Sequence, residues 1–322
     1  MTGRARAVRA RTSLSPERAE RLRALLDGLA VRTDTVARIG FDPVELPRRY
    51  ADPEDAEVAG LVAACFAYGR ADLFKPVVER ILAAMGPRPA RFAEAFAAAP
   101  SASAFPFAVY RFNRPADAAA LIAAIGHVRA EHGSLGARFA ALFGEEGGGT
   151  EALRPALERF ARELREAPEA GPLLRTRGRR GLLHLLPDAG GGGACKRLNL
   201  YLRWMVRGPD GIDLGLWRGV PPSALLIPLD THLLRIGGLL GLTGRSDASW
   251  RTAEELTATL RQIDPADPVR FDFPLCHLGM SGECPARRTP ERCELCGLVS
   301  ECRLASGAGR SRRRPARRTG RS

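Results

Sequence analysis

The chain has 322 residues, of which 49 are basic and 36 acidic, giving a formal charge of +13 with 45% apolar residues. Such a mix belongs to a globular protein with a core: it is too apolar for disorder throughout. No apolar run approaches the roughly 18 residues of a membrane span, and the basic opening MTGRARAVRARTSLSPE has no apolar stretch behind it, so no membrane association or export is expected and a cytoplasmic location is.

The charge is concentrated at the ends. Residues 1–14 carry Arg4, Arg6, Arg9 and Arg11 with no acid, and residues 303–322 carry eight arginines with no acid. Both segments are expected to be disordered tails that attract polyanions, nucleic acid first, or that only keep the chain soluble. Between them, 15–302 is a nearly neutral body.

That body reads as all-α. Ala, Leu, Arg and Glu dominate, and β-branched runs are scarce. Helices are expected over 16–30 behind Ser15-Pro16, from Asp52 to Gly69, over 72–85 up to Gly86-Pro87, and over 89–98, 115–131, 134–143 and 150–166. Stretches 144–149 and 167–172 read as loops. A basic stretch (Arg175, Arg177, Arg179, Arg180) precedes a short apolar helix over 181–186.

The segment 186–206 opens with LPDAGGGG, a turn leading into a helix that begins near Ala194. Glycines let backbone N–H groups approach a phosphate, and a helix N-terminus favours an anion; a four-glycine stretch is also a plain flexible loop. Lys196 falls in the first turn of that helix, with Leu198, Tyr201, Leu202 and Met205 on one face. Only Lys75 and Lys196 are lysines among the 49 basic residues. In so arginine-rich a chain, a retained lysine marks a place where a deprotonated amine is useful, since Arg cannot supply one. Further on, Asp230 in PLDTHLLR suits the N-cap of a helix over 231–240, and His232 reads as a helix-surface or core residue.

Cys284, Cys293, Cys296 and Cys302 follow the spacing C-x8-C-x2-C-x5-C. Four thiolates complete a tetrahedral site, so zinc or a [4Fe–4S] cluster is expected, or a structural clasp holding the C-terminus. Arg287, Arg288 and Arg292 lie in or beside the first loop, where they could meet phosphates. Cys65 and Cys195 read as buried small residues, and Cys276 reads as core ahead of a stray metal ligand. Trp204, Trp217, Phe66 and Tyr68 are aromatics that could stack on a base, although at helical spacing they read first as core.

The order of Gly-rich hairpin, Lys, amphipathic helix and then Asp-Thr-His with Arg resembles the helix–hairpin–helix DNA glycosylase superfamily. ACKRLNLYLRWMVR and PLDTHLLRIGGLLGL are also similar to a bacterial family of unknown function over roughly Tyr50 to Cys302; the glycosylase resemblance covers 182–302. It implies a two-lobed helical body with a cleft and a helix–hairpin–helix motif gripping the backbone of double-stranded DNA. Gly190, Gly191, Gly192 and Gly193 would match the hairpin glycines, with Arg197, Arg287 and Arg288 as further DNA contacts. Lys196 would match the nucleophilic lysine and Asp230 the essential aspartate. The family hairpin is Leu-Pro-Gly-Val-Gly, and the 34-residue separation from Lys196 to Asp230 is closer to the archaeal 8-oxoguanine glycosylase branch. Relatives with a cluster use C-x6-C-x2-C-x5-C at this place, which favours a [4Fe–4S] cluster over zinc.

The function so implied is base-excision repair by a nucleoid-associated monomer, a glycosylase with β-lyase activity acting on damaged bases, oxidised purines among them. A non-catalytic DNA- or RNA-binding protein on the same scaffold, and an interaction protein with a metal clasp, are the alternatives.

Overall fold

The computed structural model describes residues 13–175 and 178–305. Most of both basic tails, 1–12 and 306–322, and Arg177 of the central basic stretch, lie outside the described residues.

Fifteen α-helices occur among the described residues, with short 3-10 turns and no strand. In chain order they are α1 (Pro16–Arg32), α2 (Thr35–Ile39), α3 (Pro53–Phe66), α4 (Ala71–Met85), α5 (Pro89–Ala98), α6 (Pro115–His132), α7 (Leu135–Glu145), α8 (Leu153–Glu166) and α9 (Ala170–Leu173). After these come α10 (Arg180–Leu185), α11 (Lys196–Val206), α12 (Thr231–Leu239), α13 (Trp250–Ile263), α14 (Asp272–Met280) and α15 (Pro290–Cys293). The sequence-based expectation of an all-helical chain therefore holds. Missing from it were α2, α9, α13, α14 and α15.

Capping explains the starts. The Ser15 side chain accepts from the Arg18 N–H, Asp52 from Glu54, and Ser134 from Ala137, each before the first turn of its helix. Pro at the first position adds a preset φ to α1, α3, α5 and α6.

Helices α3 and α6 are buried nearly all round, which explains why neither has a polar stripe. α6 packs against α5, α7, α8 and α9, while α3 packs against α4, α5 and α11. The chain's first helix returns to its last ones: α1 packs on α13 and α14, and α12 packs on α14. α11 packs on α3 and is linked to α14 by the Arg203–Asp272 ion pair. Its face of Leu198, Tyr201, Leu202 and Met205 is at most 1% exposed, worth about 1.5–3 kcal/mol for each such side chain. Gly279 of α14 lies so close to His232 of α12 that a Cβ there would run into the imidazole. That close crossing brings α14 up to the start of α12.

Candidate functional site

The site begins at a break in the backbone. Leu186 ends α10; Asp188 then turns the chain, its carboxylate accepting from the Gly190 N–H at 3.0 Å and its carbonyl from the Gly191 N–H at 3.2 Å. Gly192 takes φ +83°, a left-handed value that glycine adopts without strain. Its carbonyl accepts from the Trp250 N–H at 2.9 Å, and Gly193 bridges to Ser249, so the turn is fastened to the start of α13. Gly190 to Gly193 are all exposed. Cys195 is itself left-handed (φ 45°) and carries no side-chain cap for α11. The helix therefore starts abruptly at Lys196.

Lys196 Nζ lies 3.9 Å from Asp230 Oδ2, with the lysine about one-third exposed and the aspartate 12% exposed. The two come from different helices, 34 residues apart. The other oxygen of Asp230 accepts from the Leu233 N–H at 2.8 Å and caps α12. Cys276 of α14 donates its thiol to Asp230 Oδ2 at 3.2 Å. Burial, with the Asp230 and Asp272 carboxylates alongside, pushes this thiol well above its ordinary range, so at neutral pH it is a protonated donor.

These groups line one cleft of about 540 Å³, a size that accepts a nucleoside-sized ligand. Its floor is polar. The buried Arg203 guanidinium pairs with Asp272 and, at 3.0 Å, with Asp213. Asp42 lies 3.2 Å from His277 Nε2. Burial raises the Asp42 carboxyl, but the His277 hydrogen bond and the Arg203 charge hold it below its ordinary value. Burial pushes the Asp272 carboxyl up, against the pull of Arg203 and with the help of the Asp230 charge. Asp42, Asp272, Arg203 and Cys276 all line the cleft. None was singled out as functional from the sequence: Arg203 lies within the ACKRLNLYLRWMVR string without standing out there, Cys276 reads first as core, and only tertiary packing gathers them with Asp42 and Asp272.

Other expectations divide. Of the four aromatics, Tyr68 alone lines the cleft; Trp204 and Phe66 are fully buried, and Trp217 is 5% exposed with its indole N–H donated to Glu57 at 2.7 Å. Those three are core. Arg197 also faces the cleft, but its guanidinium is committed inward, to the Cys65 carbonyl at 2.8 Å and to the His184 carbonyl, and it covers the Tyr68 ring at 5.2 Å. It lies in the cleft wall. His232 lines the cleft as well. The other lysine, Lys75, is 13% exposed and tied to the Gly40 carbonyl and Glu45, which makes it a structural residue. Cys65 and Cys195 are buried, as expected, and Cys276 both packs against the core and lines the cleft.

The four C-terminal cysteines are free thiols lining one small cavity of about 20 Å³. Burial pushes the Cys296 thiol up, and the nearby Cys284, Cys302 and Cys293 add to this. By donor type the set fits a tetrathiolate site. Among the described residues, no group of three or more His, Cys, Asp or Glu side chains is placed to hold a metal ion. Arg235 of α12 donates to Cys284 Sγ at 3.1 Å and to the Cys284 carbonyl at 3.0 Å, linking the loop to the helix that Asp230 caps. Glu301 pairs with Arg18 and Arg21 of α1, both at 3.0 Å. Arg287 and Arg288 are exposed in the same loop.

A family model described as "Protein of unknown function (DUF2400)" matches residues 42–281. No curated protein and no solved structure matches the chain. No helix among the described residues is long and apolar enough to cross a membrane.

Proposed function

The chain belongs to that family, DUF2400, and we propose that it is a DNA base-excision glycosylase with β-lyase activity that uses Lys196 as its nucleophile. One observation carries this reading: the Lys196 amine stands 3.9 Å from the Asp230 carboxylate in the lining of a nucleoside-sized cleft. A glycosylase needs a pocket for an extruded nucleotide, an amine at its C1′ and an anion facing the positive charge that develops on the sugar.

In this scheme the neutral amine attacks C1′, the N–C1′ bond forms, and the base leaves with the electron pair of the glycosidic bond and takes up a proton. The sugar ring opens to the Lys196 Schiff base. Loss of a C2′ proton then expels the 3′ phosphate, and water releases the lysine. A free lysine is neutral about once in 2,500 at pH 7, so the ammonium must first give up a proton; Asp230 would accept it, or would stabilise the sugar cation as attack proceeds. Cys276 and the α12 backbone hold that carboxylate in place.

The hairpin of Gly190 to Gly193, with α10 and α11 on either side, serves as the helix–hairpin–helix grip on the DNA backbone, and Arg287 and Arg288 meet flanking phosphates. Cys284, Cys293, Cys296 and Cys302 would hold a [4Fe–4S] cluster, with zinc as the alternative; when bound, either group would fix the loop that carries these arginines.

Borohydride trapping on duplexes carrying an abasic site or a panel of base lesions tests the proposal. A covalent adduct supports it. DNA binding without any adduct turns the reading to a non-catalytic nucleic-acid binder on the same scaffold.

A further inference from the structure

A tight turn beside the cleft has no part in the chemistry above. Tyr110 and Asn113 close it with two backbone hydrogen bonds, Tyr110 N–H to the Asn113 carbonyl at 3.2 Å and Asn113 N–H to the Tyr110 carbonyl at 2.9 Å. At its tip are Arg111 and Phe112. Arg111 takes φ 53°, a left-handed conformation that a residue with a Cβ adopts only at a cost. Asn or Gly would serve such a turn more cheaply, so the strained cation points to use rather than to folding convenience.

The base of the turn is rigid. Asn113 is fully buried, and its side-chain amide donates to the Gly181 carbonyl at 3.0 Å. The Tyr68 hydroxyl meets the Asn113 side-chain oxygen at 2.5 Å, and the Tyr110 hydroxyl donates to the Tyr68 carbonyl at 2.6 Å. The tip is the opposite. Phe112 is 48% exposed, with its ring stacked on Tyr68 at 5.7 Å and edge-on to His184 at 4.1 Å. Tyr68 is a wall of the cleft, and the Arg111 guanidinium lies over Gly69, another residue of that wall. An exposed aromatic ring is thus held on a fixed, strained support at the edge of the pocket, with a cation next to it.

We propose that Arg111 and Phe112 enter the duplex when the nucleotide is extruded: Phe112 fills the emptied place in the base stack and Arg111 faces the phosphates beside it. A π-face takes any base, and an apolar wedge between base steps is the general means of holding such a gap open. The inference rests on the glycosylase reading, and makes Phe112 a positioning residue rather than a catalytic one.

The test compares binding of the full chain to one duplex in two forms, intact and with a central tetrahydrofuran abasic analogue, at one salt concentration. Wild type should prefer the abasic duplex by about tenfold, the worth of a stacked base. Phe112→Ala should lose that preference while binding the intact duplex as before, and Phe112→Trp should keep it. Thermal unfolding of each variant checks that it is folded, and Arg111→Gly, which relieves the backbone, should unfold no earlier than wild type. A Phe112→Ala protein that keeps the preference overturns the inference. So does a wild type that has no preference yet is trapped covalently by borohydride, in which case the glycosylase reading stands without the wedge. A chain that binds neither duplex and is not trapped loses both.

Discussion

The carboxylate of Asp230 is held from three directions: Lys196 Nζ at 3.9 Å and the Cys276 thiol at 3.2 Å meet one oxygen, and the Leu233 N–H at 2.8 Å meets the other. One side chain is therefore both a helix cap and the anion facing the amine. Asn caps a helix about as well as Asp, so Asp230→Asn should leave thermal stability nearly unchanged while trapping slows by about 10²–10⁴. Asp230→Ala should slow trapping similarly and also cost about 1 kcal/mol of stability. Single-turnover trapping beside thermal unfolding separates the two roles.

Cys276 acts through Asp230. Removing its thiol in Cys276→Ala should slow trapping roughly fivefold, the worth of about one hydrogen bond, and Cys276→Ser should restore most of the loss. Equal rates for all three proteins would show that the thiol merely fills space.

The hairpin makes a paired prediction. Gly192 is left-handed at φ +83°, whereas Gly193 has open space where a Cβ would stand and no positive φ. Gly192→Ala should lower stability by about 1–2 kcal/mol and Gly193→Ala by much less. Denaturant titration of the two variants checks the order.

Acid stability has a definite sign at Asp42. His277 and Arg203 hold its carboxyl below the ordinary value in the folded protein. The stabilisation is therefore full above about pH 4, where the unfolded aspartate is ionised, and is lost as the pH falls through the lower folded value. Asp42→Asn should unfold at a lower temperature near neutrality, and the gap from wild type should narrow below about pH 4.

Much of this architecture is legible in the chain. Ser15-Pro16, Asp52-Pro53 and Ser134 announce their helices through caps whose partners lie three residues away or less. Lys196 and Asp230 stand out for local reasons too, one as a rare lysine beside glycines, the other as a cap. What is not legible is the floor of the cleft. Asp272 and Cys276 lie on α14, a helix buried on most sides whose composition shows no stripe, and they reach the site only because Gly279 lets α14 press against His232. Trp204 and Trp217, which helical spacing reads first as core, are buried as that reading expects.

The measurement that tests the account most directly is borohydride trapping of wild type and Lys196→Ala on an abasic duplex, with the trapped peptide identified by mass. The account predicts an adduct on Lys196 in wild type and none in Lys196→Ala, with duplex binding retained by both. Undiminished trapping in Lys196→Ala, or an adduct mapped to another residue, would contradict it.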